Sequence, residues 1–322
     1  MKVVITGGAG FLGQRLARKL LEQGTLATAE HRQEQIEKLV LLDVVAATGF
    51  DDSRVDVVAG DIADPAVFAR VIGRDTSSVF HLAAVVSGEA ERDFDLGMRV
   101  NLDAARLLLE ACRAGRGKPR VIFTSSVAVY GGDLSRGVND MTPLHPRSSY
   151  GIQKAIAELL LIDYTRKGFV DGRVGRLPTI SVRPGKPNQA ASSFASGIIR
   201  EPLNHQDAIC PVPGDLRLWL SSPRRAIEAL IALHEVPARA LEPDPIVNLP
   251  GISVTVDEMV SALRTVGGEE TVKRIRWQRD PLVERIVGSW PAAWDVTRAR
   301  SLGLVPDDNF EAIVREYVQD PR

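Results

Sequence analysis

Cysteine is nearly absent from this sequence: two of 322 residues, Cys112 and Cys210, far apart and with no histidine at metal-ligand spacing. That excludes a disulfide framework and gives no reason to expect zinc or another metal. An excess of charge of one sign is missing too. Lysine plus arginine number 40 against 41 aspartates and glutamates, so no broad field recommends nucleic acid or an anionic membrane surface as partner. No run of about 18 apolar residues occurs, which excludes a membrane-spanning helix. The chain opens on MKVVITGG, a strand from the second residue, without a basic start, apolar run and cleavage site before it. The expectation is a soluble cytoplasmic protein with no membrane or nucleic-acid partner. Internal repeats and low-complexity linkers are also lacking, and a small-molecule ligand is the prior that remains.

What is present is size and alternation. The length exceeds the roughly 100–200 residues usual for one domain. Short apolar runs at 2–6, 39–43, 55–60, 78–84, 120–126 and 175–185 alternate with helical patterns, and strands apolar on both faces imply a parallel sheet covered on both sides. The fold class expected is α/β, a doubly wound parallel sheet over residues 1–186, with a smaller substrate lobe over 187–322. In that later part prolines thicken and all four tryptophans appear. A strand at 245–251 and the helix after it, to about 267, are expected to return to the sheet.

TGGAGFLG at 6–13 sits between the first strand and a helix with Leu12, Leu16 and Leu20 on one face. Gly7 suits a tight turn, Gly10 the approach of a pyrophosphate to the backbone, and Gly13 close packing of helix on sheet. The phosphates would meet the unpaired N–H groups of that helix. Asp43 closes the second strand, where a carboxylate binds ribose hydroxyls and repels a 2′-phosphate, so NAD is favoured over NADP. It lies 30 residues past Gly13 where about 20 is usual, and a polar, exposed insertion at 28–38 accounts for the excess. Asp61 and the HLAA turn at 81–84 would flank adenine and pyrophosphate, with His81 read as a satisfied histidine at a strand end.

Tyr150 and Lys154 are four apart in SSYGIQKAIAELLL, so on a helix they share a face. A tyrosine of pKa about 10 is a poor base near neutrality, and a neighbouring ammonium would lower that value and fit it to take a proton from an alcohol. Lys154 could also hold a ribose. The strand before the helix ends in TSSVAVYG, which offers Ser125 and Ser126 as hydroxyl donors.

TGGAGFLG, Asp43, HLAA, RVNLDAARLLLEAC, FTSSVAVYG, YGIQK and WDVTRARSLGLVP together resemble the extended short-chain dehydrogenase/reductases, a group that includes sugar-nucleotide epimerases and dehydratases. The likeness spans nearly the whole chain. It implies Ser126, Tyr150 and Lys154 as catalytic residues and NAD as cofactor. Coenzyme contacts are implied for Gly7, Gly10, Phe11, Leu12 and Gly13 in the turn, and for Asp43, Asp61 and Ile62 at the adenosine end. Leu82, Ala83, Ala84 and Asn101 follow, with Tyr150, Lys154, Leu177 and Thr179 toward the nicotinamide. Relatives commonly pair through the helices near 94–115 and after 149, so a homodimer is expected.

Where sugar-nucleotide enzymes carry an asparagine for the diphosphate, this chain has Thr179 in RLPTISVRPGKPNQAASSF. That segment, with HLAAVVSGEAERDFD and LRLWLSSPR, resembles the family branch acting on four-carbon sugar acids. The resemblance implies NAD-dependent oxidation of the C2 hydroxyl of D-erythronate. A carboxylate needs a cation, best a guanidinium, and Arg183, Lys186, Arg217 and Arg224 are candidates; Ser87, Ser125 and Asn188 could meet hydroxyls. Two rivals stay open: a sugar-nucleotide epimerase or dehydratase with tightly held NAD, and a non-catalytic NAD-responsive binding protein.

Overall fold

Seven stretches pair side by side, all parallel, in the computed structural model, which describes residues 1–320 apart from positions 30, 135, 136, 186 and 188. Numbering only the strands of this sheet, they are β1 (Lys2–Thr6), β2 (Lys38–Asp43), β3 (Val55–Ala59), β4 (Thr76–His81), β5 (Arg120–Ser126), β6 (Asp171–Leu177) and β7 (Ile246–Asn248). Their order across the sheet is β3-β2-β1-β4-β5-β6-β7. The chain winds outward from β1 to β3, then crosses back to β4 on the other side. That reversal opens a crevice at the carboxyl ends of β1 and β4, where ligands of such sheets bind.

Alternate residues of each strand face opposite sides. Val3 and Ile5 meet Leu16 and Leu20 of the Phe11–Gln23 helix and Ile227 and Leu230 of the Pro223–Glu235 helix. Val4 faces the other way, into a core with Val79, Val121, Leu108 and Leu161 from the Ala104–Gly115 and Ser149–Arg166 helices. A third cluster forms the second lobe, around the Phe194–Leu203, Val256–Gly267 and Phe310–Gln319 helices. The 245–251 segment therefore supplies β7, whereas the helix after it packs into the lobe. The Pro223–Glu235 helix, drawn from the later part of the chain, covers the main sheet.

Three local expectations need correction. The run at 55–60 is not doubly buried: β3 is the edge strand, and Val57 lies open to solvent. The run at 175–185 is not one strand. β6 begins earlier, at Asp171, and ends before Pro178, which has no N–H for the ladder. Thr179–Ile180 then pair with Leu220–Ser221 in a separate three-stranded sheet. The helix near 94–115 contains a π-helical stretch, Met98–Asp103, a feature that gathers at functional sites. The polar insertion forms a small antiparallel ribbon, Thr25–Ala27 with Gln33–Gln35, whose second strand is exposed. Both cysteines are free and buried, and among the described residues no group could hold a metal ion and no helix is long and apolar enough to cross a membrane.

Candidate active site

A cleft of about 560 Å³ runs over the carboxyl ends of β1, β4 and β5, from Asp43 and Asp61 at one end to Tyr150, Arg183 and Trp290. Its floor is the glycine turn. Gly7 has φ +74°, and a Cβ there would stand 2.8 Å from the Ala83 nitrogen. Gly13 has no room either, because a Cβ would come within 2.0 Å of the Gly7 carbonyl oxygen. Gly10 begins the Phe11–Gln23 helix without a side-chain cap, so the helix presents its N–H groups and positive end to the cleft. This is a cradle for a pyrophosphate, and the chain thus fits a dinucleotide.

At the adenosine end, Asp43 accepts from the Ala9 N–H at 3.0 Å and from the Val44 N–H at 2.8 Å, which fixes its carboxylate at the rim. Asp61 accepts from Ala63 N–H at 2.9 Å and pairs with Arg99. Phe11, Leu12, Ile62, Leu82, Ala83 and Ala84 line the same walls. Asn101 does not. It stands behind the wall, where its Oδ1 accepts from Val85 N–H at 2.8 Å and its Nδ2 donates to the Val85 carbonyl at 3.1 Å and to Gln153 Oε1 at 2.8 Å. In place of the expected coenzyme contact, it ties the π-helical stretch and the 85–86 wall to the Ser149–Arg166 helix. His81 is a satisfied core histidine, 2.7 Å from Thr6 Oγ1 and stacked on Phe123. Burial, with the nearby Lys154 charge, pushes its pKa down to about 3.

At the other end, Ser148 caps the Ser149–Arg166 helix through Gly151 N–H, and that helix delivers Tyr150 and Lys154 to the cleft beside the end of β5. Ser126 lies beside the Tyr150 phenol and accepts from Ala128 N–H at 3.2 Å. Lys154 is buried and donates to the Thr124 carbonyl at 3.0 Å. Burial pushes the Tyr150 phenol up to about 12, opposed by the neighbouring Ser126 hydroxyl and the Arg183 charge. Lys154 is not the cation that lowers this pKa, as its spacing suggested: desolvation outweighs every partner, and Arg183 is the cation that opposes it. Burial likewise pulls Lys154 down to about 8, against the pull of Glu158 one turn on.

Of the residues expected to meet substrate, Ser87 and Arg183 line the cleft. Ser87 Oγ accepts from Ala191 N–H at 3.1 Å. Ser125 belongs to the wall, but its hydroxyl is buried and without a hydrogen-bond partner among the described residues. Arg217 stands apart: it is exposed and bound to the Ser253 carbonyl and Glu258 at the surface. Arg224 is likewise engaged, with Glu228 and Glu316. Lys186 and Asn188 fall outside the described residues. Leu177 and Thr179 line the cleft. Sequence reasoning missed Thr124, Ser192 and Trp290 in the lining. Thr124 could have been read from its place in TSSVAVYG; no local signal marks Trp290.

The profile of the NAD dependent epimerase/dehydratase family matches residues 3–221, and the chain belongs to that family. Within it, the chain is 60% identical over 320 residues to the D-erythronate dehydrogenase of Cupriavidus necator, covering 99% of this chain and 98% of that protein. It is 47% identical over 320 residues to the D-erythronate dehydrogenase of Haemophilus influenzae, covering 99% of each. Among solved structures, a nucleoside-diphosphate-sugar epimerase from Agrobacterium tumefaciens is similar at 42% identity and a TM-score of 0.92, covering 99% of this chain and 94% of that one.

Proposed function

We propose that this chain is an NAD-dependent dehydrogenase that oxidises the C2 hydroxyl of D-erythronate to 2-dehydro-D-erythronate. The observation that carries the reading is Arg183. Arg183 lines the cleft with Tyr150, no carboxylate among the described residues pairs with it, and the neighbouring Arg200, which donates to the Arg183 carbonyl, is itself paired with Glu201. A desolvated cation without a partner is costly, and a substrate carboxylate held by two parallel hydrogen bonds offsets that cost. The names of the two D-erythronate dehydrogenase relatives support the same substrate.

The bound coenzyme supplies the hydride acceptor. The chain supplies alignment and proton transfer. Arg183 holds the carboxylate, which fixes the acid relative to Tyr150. Tyr150 acts as the phenolate, the form that burial disfavours and the Arg183 charge supports; its oxygen takes the C2 hydroxyl proton, and the Ser126 hydroxyl steadies the same substrate oxygen as it becomes a carbonyl. Lys154, anchored on the Thr124 carbonyl, keeps a positive charge behind the phenol and is placed to hold the nicotinamide ribose. Asp43 at the adenosine rim favours NAD by repelling a 2′-phosphate.

Incubating the protein with NAD and D-erythronate and following NADH absorbance tests the reading. Net NADH is expected, and its absence with any sugar acid would overturn the proposal. The similarity to a protein named as a sugar-nucleotide epimerase favours one rival, an enzyme that regenerates NAD in every turnover; net NADH excludes it. Tyr150→Phe is expected to lower kcat by about 10²–10⁴-fold while NAD still binds, an outcome that a non-catalytic NAD sensor does not give. The working unit is proposed to be a homodimer in the cytoplasm. Ile152, Ile156 and Leu159 leave apolar surface open along the Ser149–Arg166 helix, and Phe94 does so nearby. A monomeric mass in solution would overturn the pairing.

A further inference from the structure

We propose that the indole of Trp290 is the wall that limits this site to a short, open-chain acid. The inference rests on the sugar-acid reading above and adds what sets the length. Every described residue lining the cleft lies between positions 7 and 192, with Trp290 the single exception. Beyond residue 192, the second lobe therefore reaches the ligand space, among the described residues, through one ring.

That ring stands at the reacting end. Trp290 packs on a cluster that contains Val127, Val129 and Tyr130, and Val127 directly follows Ser126 and itself lines the cleft. It also packs on the core of the second lobe, so it bridges the two. Its support is firm on both sides. The Trp290 backbone N–H donates to the Val287 carbonyl at 3.2 Å, just past the Pro281–Gly288 helix, and Ile286 and Val287 are buried. Behind it, Trp294 lies 5.5 Å from Trp219 and 5.9 Å from Tyr130, ring centre to ring centre, and donates its Nε1–H to the Leu249 carbonyl at 3.0 Å.

An acid whose carboxylate sits on Arg183 and whose C2 faces Tyr150 directs its remaining carbons toward the rest of this wall. A flat apolar ring there accepts a short tail. Each additional CHOH unit would bring both bulk and a hydroxyl that must lose water against a surface with little to offer it. Discrimination by one carbon unit in such a pocket is worth about 10–200-fold.

The test compares kcat/KM with NAD for D-erythronate, a five-carbon aldonate and a six-carbon aldonate, in the wild type, Trp290→Ala and Trp290→Leu. The expected result is a rise of about tenfold or more in the five-carbon to four-carbon ratio for Trp290→Ala and a smaller rise for Trp290→Leu. A ratio within about twofold of the wild type, in variants that bind NAD and melt like the wild type, would overturn the wall. If Trp290→Ala does not fold, Trp290→Leu is judged by the same criterion. A wild type that turns over no aldonate overturns the underlying reading and this inference with it, whereas an active wild type with an unmoved ratio overturns this inference alone.

Discussion

Lys154 donates its ammonium to the backbone carbonyl of Thr124 at 3.0 Å and stands 5.7 Å from the centre of the Tyr150 ring. The lysine is therefore anchored to the strand that carries Ser126, and strand and helix are locked together at the reacting end. Lys154→Met removes that donor and with it a buried, charge-assisted hydrogen bond, at a cost of about 1–3 kcal/mol. It also removes the positive charge behind the phenol. The expected outcome is a lower melting temperature together with a fall in kcat/KM of about 100-fold or more. Steady-state kinetics beside a melting curve checks both, and an unchanged kcat/KM would contradict the role.

Gly13 is the position at which the glycine turn is least forgiving. A Cβ there would lie 2.0 Å from the Gly7 oxygen and 2.9 Å from Gly8 Cα, and both are backbone atoms that cannot turn aside as a side chain could. Gly13→Ala must push the helix off the glycine turn proposed to cradle the pyrophosphate. Calorimetry should find NAD affinity reduced by at least about tenfold, which is 1.4 kcal/mol, with a lower melting temperature. Wild-type affinity in this variant would show that the turn can relax.

These two sites were legible because their chemistry is local. Gly7, Gly10 and Gly13 lie within one turn, and Tyr150 and Lys154 within one turn of helix, so spacing alone places them together. The sheet was legible for the same reason, since Val3, Val4 and Ile5 declare a strand buried on both faces. What was not legible depends on partners distant in sequence. Arg217 has the right charge for a carboxylate, but its strand pairs with Ile252–Thr255 and turns it to Glu258. Asn101 sits in a motif that suggests coenzyme contact, yet the π-helical stretch aims it at Val85 and Gln153. Trp290 reaches the cleft only because the second lobe folds over it. The direction of the Tyr150 shift also depends on burial, which no spacing rule reports.

Acid should destabilise the fold in a specific window. His234 is buried with Ser78 Oγ 2.8 Å from its Nε2, and its pKa falls to about 4, chiefly by burial, although Glu235 pulls the other way. His81 falls to about 3 for the same main reason. Both are neutral in the folded protein, and an unfolded histidine titrates near 6.5. The unfolded chain therefore binds more protons below that value, and stability that is fully present above about pH 6.5 is lost as pH falls toward 4. Each proton of difference is worth about 1.4 kcal/mol per pH unit. Melting temperatures between pH 7.5 and 4.5 should decline, and less steeply in His234→Gln than in the wild type. Parallel curves would remove His234 from the account.

Glu158, one helical turn past Lys154, accepts two hydrogen bonds from Arg176, at 3.0 and 2.7 Å, and both side chains are buried. Arg176 donates onward to the Tyr130 hydroxyl at 2.6 Å, and that hydroxyl donates to Asn248 Oδ1 at 2.9 Å. The chain of bonds thus runs from the Ser149–Arg166 helix through the end of β6 to β7. Glu158→Gln leaves a guanidinium buried without a counter-charge, which costs about 3–5 kcal/mol. Replacing both partners by apolar residues removes the unpaired charge as well as the pair, so Glu158→Leu with Arg176→Met should cost less than Glu158→Gln alone. Denaturant unfolding of the cycle measures this, and a double variant as costly as the sum of its singles would contradict it. Because Glu158 holds the Lys154 ammonium against the effect of burial, Glu158→Gln should also let Lys154 lose its proton at lower pH. The high-pH fall in kcat/KM should then move toward neutrality, a shift that a purely structural ion pair would not produce.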